Sequence, residues 1–337
     1  MGVHKPTMES MVNMANDFWK NKNVLITGYE GFLGSHLTRT LLNCGARVCG
    51  LDIHTHRKQT ILSGKELAKV RIIKGSVENF SLVSEIIKKH KIEFIFHLAA
   101  KSLVGECLRE PIKAFSTNIR GTWNILEASR NSNTIKVIVI ASSDKAYGSH
   151  TKLPYKENAS LSGSHPYDVS KSCADLIAHT YYNTYGLPVV VTRCGNIFGP
   201  GDFNFSRIIP DAVRSAIMNK KLIIRSDGKF IRDYIYVDDV VNAYLSLSEK
   251  FQRLKLDGKA FNFSYEKPIS VLELVKIIYY LTGKELNYKI LDQAKYEIKK
   301  QYLLSKKAKE ILGWKPRFTL EEGLKKTIGW HKDNLRW

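Results

Sequence analysis

Three glycines constrain this chain's fold more than any other feature. In VLITGYEGFLGSHL, Gly28, Gly31 and Gly34 separate a short β-branched run, Val24–Thr27, from a helical stretch, Gly34–Asn43. A strand, a glycine turn and a helix in that order open a doubly wound α/β sheet. The glycines keep side chains out of the space between the helix N-terminus and an approaching pyrophosphate. Their G-x-x-G-x-x-G spacing is one residue longer than the commonest dinucleotide fingerprint.

The pattern downstream agrees. Strands are expected at Arg47–Asp52, Val70–Lys74, Phe94–Leu98, Lys136–Ala141 and Leu187–Arg193. Helices are expected at Ser81–His90, Pro111–Asn131 and Pro166–Tyr185. Continuous Val/Ile runs between helices predict a parallel sheet covered on both faces, a Rossmann-type α/β fold. After Arg193 the rhythm weakens: Gly195–Lys229 reads as loop plus a helix, Asp238–Lys250 as a helix and Phe261–Tyr265 as a strand. Helices at Val271–Thr282, Ser305–Leu312 and Leu320–Asn334 then suggest a smaller, mostly helical second domain. The expected division is a mobile tail over 1–17, a dinucleotide-binding domain from 18–193 plus 232–261, and a substrate domain from 194–231 plus 262–337.

Composition narrows the class. With 44% hydrophobic and 25% charged residues among 337, the chain suits a large buried core. No apolar run approaches the roughly 20 residues that span a bilayer. The N-terminus lacks a signal-peptide core, and Pro6 stands where a myristoylation signal needs Ser or Thr. Five cysteines (Cys44, Cys49, Cys107, Cys173, Cys194) form no CxxC pair, so reduced thiols in a cytoplasmic protein are expected, with no metal site. The net charge of +20 raises the question of nucleic acid. However, the basic residues are scattered among acids, as in LSKKAKEILGWKPRFTLEEGLKKT, with no arginine-rich arm or RNP-like motif. A basic surface that attracts a dianionic small molecule is the preferred reading.

Two stretches carry the chemistry. Asp52 ends the second strand about 20 residues beyond the glycine turn, where a carboxylate accepts hydrogen bonds from a ribose diol. It would repel a 2′-phosphate, which favours NAD over NADP; His54, His56, Arg57 and Lys58 could screen that repulsion and keep NADP open. Farther on, VIVIASSDKAYGS is followed by PYDVSK. Tyr167 and Lys171 lie four apart on one helix face, and an ammonium beside a phenol is expected to lower its pKa. Ser143 ends a strand, where a hydroxyl can hold a substrate alcohol near Tyr167.

In order, the motifs TGYEGFLG, FHLAA, EPIKAFSTNIRGTWNILEA, SSDKAYG, YDVSK, TRCGNIFGP and RDYIYVDD resemble those of the extended short-chain dehydrogenases/reductases, in the branch of nucleotide-sugar epimerases and dehydratases. The resemblance covers about residues 18–335. It implies a Ser143–Tyr167–Lys171 triad in which Tyr167 deprotonates a sugar 4-hydroxyl while C4 gives hydride to NAD. It further implies cofactor contacts from Gly28, Gly31, Phe32, Leu33, Gly34, Asp52, Ser76, Val77, Leu98, Ala99, Ala100, Tyr167 and Lys171. Substrate contacts fall to Ser102, Asn196, Arg207 and Arg232, the last as a guanidinium grip on the diphosphate. Arg232 could alternatively pair with an acid such as Asp233, Asp238 or Asp239. Gly75-Ser76 departs from the family's Gly-Asp, which puts the adenine contact in doubt, although Val77 could supply backbone groups. Relatives dimerise through two long helices that correspond to Pro111–Asn131 and Pro166–Tyr185, so a homodimer is expected.

The resemblance also divides the reactions. Asp144-Lys145 follows the catalytic serine, where 4-epimerases carry small or neutral residues. Sugar-nucleotide 4,6-dehydratases have an acid at the Asp144 position to protonate the departing 6-hydroxyl, and SSDK most resembles the CDP-glucose 4,6-dehydratases. Lys145 is then either the base for the C5 proton, with a depressed pKa, or a charge that sets the field around Asp144. The expected function is a 4,6-dehydratase, with a 4-epimerase or another C4-oxidising relative as the alternative; a non-enzymatic dinucleotide-binding protein would ordinarily lack Tyr167 or Lys171.

Overall fold

The computed structural model describes residues 17–55, 60–294 and 297–334. His56, Arg57, Lys58 and the expected tail through residue 16 lie outside the described residues. Asp17 is already helical, in a turn that buries Trp19 among Phe94 and Phe96.

Six strands keep the expected order: β1 (Asn23–Thr27), β2 (Arg47–Asp52), β3 (Arg71–Lys74), β4 (Phe94–His97), β5 (Val137–Ala141) and β6 (Val189–Cys194). With Ala260–Phe263 they form one seven-stranded parallel sheet in the order Ala260–Phe263, β6, β5, β4, β1, β2, β3. Successive strands run outward from β1 on one side and from β4 on the other, so the strand order reverses between β1 and β4. Doubly wound folds bind ligands in the crevice at the carboxyl ends of such strands.

Alternation along each strand sends its apolar side chains to both faces, which explains the uninterrupted Val/Ile runs. Val24, Ile26, Val48, Phe94, Phe96, Val137 and Val139 pack on one face, with Leu37 and Leu41 of helix Phe32–Asn43 and Val240, Tyr244 and Leu247 of helix Val237–Leu254. Leu25, Leu51, Ile95, Ile138, Ile140 and Val189 pack on the other. There they meet Val83, Ile86 and Ile87 of helix Phe80–Lys89, Ile125 and Leu126 of helix Gly121–Arg130, and Ala178 of helix Pro166–Tyr185.

The expected single helix over Pro111–Asn131 is interrupted: a π turn at Ser116–Arg120 joins Pro111–Phe115 to Gly121–Arg130. The widened turn faces Asn118 inward, where its carboxamide bonds the loop after β4. A further helix, Val104–Arg109, occupies a stretch with no sequence signal strong enough to assign.

Beyond β6 the sheet elements are very short. Asn196–Phe198 pairs parallel with Tyr234–Tyr236, Ile231–Arg232 antiparallel with Ile269–Ser270, and Leu222–Ile224 parallel with Tyr288–Ile290. Runs of two or three residues cannot display a period, which is why the strands in Gly195–Lys229 read as loop, while the helix expected in that segment is Ile208–Ile217. The expected helices at Val271–Thr282 and Leu320–Asn334 are present, and Lys306–Leu312 fills the third. Among the described residues no helix is long and apolar enough to cross a membrane.

Candidate active site

At the glycine turn the three glycines have different jobs. Gly28 adopts φ +74, a left-handed conformation that a side chain strains, and a Cβ there would sit 3.1 Å from the Ala99 backbone. A Cβ on Gly34 would overlap the Gly28 carbonyl oxygen, so this glycine lets the helix close onto the turn. Gly31 is the N-cap and offers no side-chain cap, which leaves the N–H groups of Phe32, Leu33 and Gly34 without intrahelical partners. These donors at a helix N-terminus suit an anion. Asp52 ends β2 buried, its Oδ1 accepting from the His54 N–H at 3.0 Å. The residues present therefore fit a dinucleotide.

Thr27, which sequence reasoning passes over, ties β1 to β4. Its Oγ1 accepts from the Leu98 and Ala99 N–H groups, each at 3.1 Å, and lies 2.8 Å from His97 Nδ1. His97 Nε2 in turn lies 3.2 Å from Thr122 Oγ1. Burial holds this imidazole neutral, its pKa pushed down to about 3. Leu98 and Ala99 thus border the turn, and Ala100 follows them in the loop after β4. Ser76 Oγ accepts from the Glu78 N–H, and the Val77 carbonyl is taken by Asn124 Nδ2 at 3.0 Å.

The second cluster lies past the end of β5. Ser143 opens a 3₁₀ turn, Asp144–Tyr147, and its Oγ accepts from the Lys145 N–H and donates to Asp144 Oδ1 at 3.0 Å. Asp144 is buried, and its Oδ2 has no hydrogen-bond partner among the described residues. Burial raises its pKa, against the opposing pull of Lys145, the Ser143 hydroxyl and Arg232. Lys145 Nζ donates to Gln301 Oε1 at 3.1 Å. Burial and the Arg232 guanidinium lower its pKa, while Asp144, Asp168 and Glu297 raise it. A carboxyl shifted toward its neutral form thus sits beside an amine shifted toward its neutral form.

Tyr167 and Lys171 share the inward face of their helix as expected, both more than nine-tenths buried. The expected electrostatics differ. Lys171 Nζ donates to the Ala141 carbonyl at 2.7 Å, and its pKa falls to about 8 through burial. Burial drives the Tyr167 phenol up, opposed by a hydrogen bond with Ser143 and by the Arg207 guanidinium, so the lowering expected from Lys171 is not what sets it. Asn118, another residue the sequence does not single out, donates to Ser170 Oγ at 2.8 Å on the same helix and anchors it to the loop at Lys101.

On the remaining side, Arg232 is buried and does pair with an acid, but with Glu297 and not with Asp233, Asp238 or Asp239. Its Nη2 meets Glu297 Oε2 at 3.3 Å, and its Nη1 donates to the Ile231 and Lys299 carbonyls. The three aspartates are engaged elsewhere: Asp233 with Ser264, Asp239 with Tyr265 and the Arg317 N–H, and Asp238 with His36. Arg207 pairs with Asp202 at 3.2 Å, Asn196 donates its backbone N–H to the Asp233 carbonyl at 2.8 Å, and Ser102 is exposed on the loop after β4. Glu297, Lys299, Asp168 and His165 also line a cavity of about 500 Å³.

A family model described as GDP-mannose 4,6 dehydratase matches residues 25–327. A CDP-glucose 4,6-dehydratase from Salmonella typhimurium is 32% identical over 95% of this chain and 93% of its own length. Among solved structures, dTDP-glucose 4,6-dehydratase from Bacillus anthracis in complex with NAD is 30% identical with a TM-score of 0.83, covering 94% of this chain and 98% of that one. A UDP-glucose 4-epimerase from Thermotoga maritima with UDP-glucose is 31% identical, also at 0.83, covering 93% and 100%. Motif order, sheet topology and these likenesses agree: the chain belongs to the GDP-mannose 4,6 dehydratase family, among the nucleotide-sugar dehydratases and epimerases of the short-chain dehydrogenase/reductase type.

Proposed function

We propose that this protein is an NAD-dependent nucleotide-sugar 4,6-dehydratase, with CDP-glucose as the first substrate to try. The observation that carries the reading is the Asp144–Lys145 pair: a buried carboxyl with a raised pKa next to an amine with a lowered one. Loss of water from C5 and C6 needs those two states, an acid that can give a proton to the departing hydroxyl and a base that can take one from C5. The similarity to the Salmonella CDP-glucose 4,6-dehydratase and to the NAD-bound dTDP-glucose enzyme supports it.

In this reading 18–193 with 232–261 hold the cofactor, and the other segments face the sugar nucleotide. Bound NAD would supply the hydride acceptor, a fixed positive charge and, after water loss, the hydride returned to C6. Tyr167 takes the 4-hydroxyl proton as the phenolate, a form that the charge of bound NAD and a protonated Lys171 would favour, with Ser143 aligning that hydroxyl. Lys171 serves as a nearby cation once protonated, its pKa near 8 leaving it mostly charged at neutral pH. Arg232 receives the diphosphate, for which its fork is suited. Asp144 must be protonated and Lys145 neutral. The rate of water loss therefore falls as pH rises through the pKa of Asp144, and falls as pH drops through that of Lys145.

Asp144→Asn tests the acid role. Loss of water should drop by about 10²–10⁴-fold while oxidation at C4, read as reduced-nicotinamide absorbance, survives. Unchanged water loss would remove Asp144 from the mechanism. The likeness to the Thermotoga epimerase favours one alternative, a 4-epimerase that stops after C4 oxidation and returns the hydride to C4.

A further inference from the structure

We infer that Gln301 is the positioning residue for Lys145, holding its amine by a neutral acceptor so that the nitrogen lone pair stays available to the sugar. The inference rests on the reading of Lys145 as the C5 base. Gln301 lies 156 positions from Lys145 in the chain and is fully buried. Its Oε1 accepts from Lys145 Nζ at 3.1 Å, while its Nε2 is buried with no hydrogen-bond partner among the described residues. An amide satisfied only on its acceptor side is uncommon in a protein interior, because the orphaned N–H groups lose water without replacement. Turning the amide over would set an N–H donor against the neutral amine's lone pair and occupy the electrons the sugar's C5 proton needs.

The backbone fixes Gln301 just as firmly. Its N–H donates to the Ile231 carbonyl at 3.1 Å, and the Ile231 N–H donates to the Lys299 carbonyl at 2.9 Å. The segment 297–301 is therefore laced to the strand that carries Arg232, whose side chain contacts Glu297 and the Lys299 carbonyl. One short stretch thereby holds both the diphosphate candidate and the base candidate.

The chemistry of the acceptor matters. The charged groups around Lys145 are Arg232, Asp144, Asp168 and Glu297. A carboxylate at position 301 would orient the amine equally well, but it would stabilise the ammonium, which has no lone pair to offer. A carboxamide oxygen orients one N–H at far smaller cost to the neutral form. A leucine there would leave the amine unoriented.

The test uses the full chain with NAD. Lys145 is titrated by NMR of isotope-labelled lysine amines without substrate, assigned with Lys145→Met, and C5-proton exchange with solvent is followed on CDP-glucose against pH. Gln301→Glu should raise the Lys145 midpoint by about one to three pH units and carry the acid limb of the exchange profile with it. Gln301→Leu should cut C5 exchange about tenfold or more through kcat, leaving KM and C4 oxidation near wild type. A Lys145 midpoint and exchange profile unmoved in Gln301→Glu would overturn the inference, as would wild-type exchange in Gln301→Leu. If Gln301→Leu does not fold, the midpoint in Gln301→Glu decides alone. If Lys145→Met itself keeps C5 exchange, the base reading fails first, which separates the two failures.

Discussion

The glycine turn and the Asp144–Lys145 cluster are built in opposite ways. The turn is a local, backbone object: Gly28, Gly31 and Gly34 lie within seven consecutive residues, and their role comes from φ angles, close approach and the N–H groups of a helix end. The cluster is a long-range, side-chain object, gathered from the end of β5, the helix Pro166–Tyr185, the strand Ile231–Arg232 and the segment 297–301. A backbone site fails when its geometry changes. A side-chain site can lose its chemistry while the fold stands. The difference also separates what suits dehydratase and epimerase alike, a dinucleotide seat, from what sets the reaction on the proposed reading.

Three substitutions probe that contrast, in descending order of effect. Tyr167→Phe removes one oxygen from the side-chain site. It should lower the rate of C4 oxidation by about 10²–10⁴-fold with an unchanged melting temperature, measured by stopped-flow absorbance and calorimetry. Full activity in this variant would overturn the mechanism. Gly34→Ala strikes the backbone site. The added Cβ overlaps the Gly28 carbonyl, so stability should fall by about 3 kcal/mol in denaturant titration, with NAD binding weakened in parallel. Intact folding with intact NAD affinity would contradict a backbone-built seat.

The smallest effect lies in the C-terminal region. His331 is fully buried beside Phe203 and Trp330, neither ring nitrogen having a hydrogen-bond partner among the described residues, and burial lowers its pKa to about 4. A depressed pKa means that the unfolded chain binds the proton first. The stability this group contributes is present above its ordinary value near 6.5 and is lost as pH falls from there toward 4. His331→Leu should flatten the pH dependence of stability in that window by about 2 kcal/mol and change little at pH 7. His97, lowered to about 3, remains to give the variant a residual slope.

Legibility in the sequence obeys the same division. The parallel sheet is readable because β1, β4, β5 and β6 are unbroken apolar runs, and the cofactor seat because its residues are adjacent. Ser143, Asp144, Lys145, Tyr167 and Lys171 are readable because two short motifs contain them all. Gln301 and Glu297 are not, since a single hydrogen bond spanning 156 or 65 positions leaves no periodic trace. Arg232 is visible through its motif, yet its partner lies across the site and not among the neighbouring aspartates. The position of Tyr167 is legible and its electrostatics are not, because spacing shows which groups share a face and says nothing about how deeply that face is buried. Thr27 and Asn118 stand inside recognised motifs; their roles become visible only once β4 and the π turn are in place.

Dehydratase and epimerase part ways after oxidation at C4, and product mass reads that divergence directly. Incubating the protein and NAD with a panel of sugar nucleotides that includes CDP-glucose should yield a 4-keto-6-deoxy product lighter than its substrate by one water. A product of unchanged mass, inverted at C4, would contradict the dehydratase assignment and leave Asp144 and Lys145 without the roles given to them.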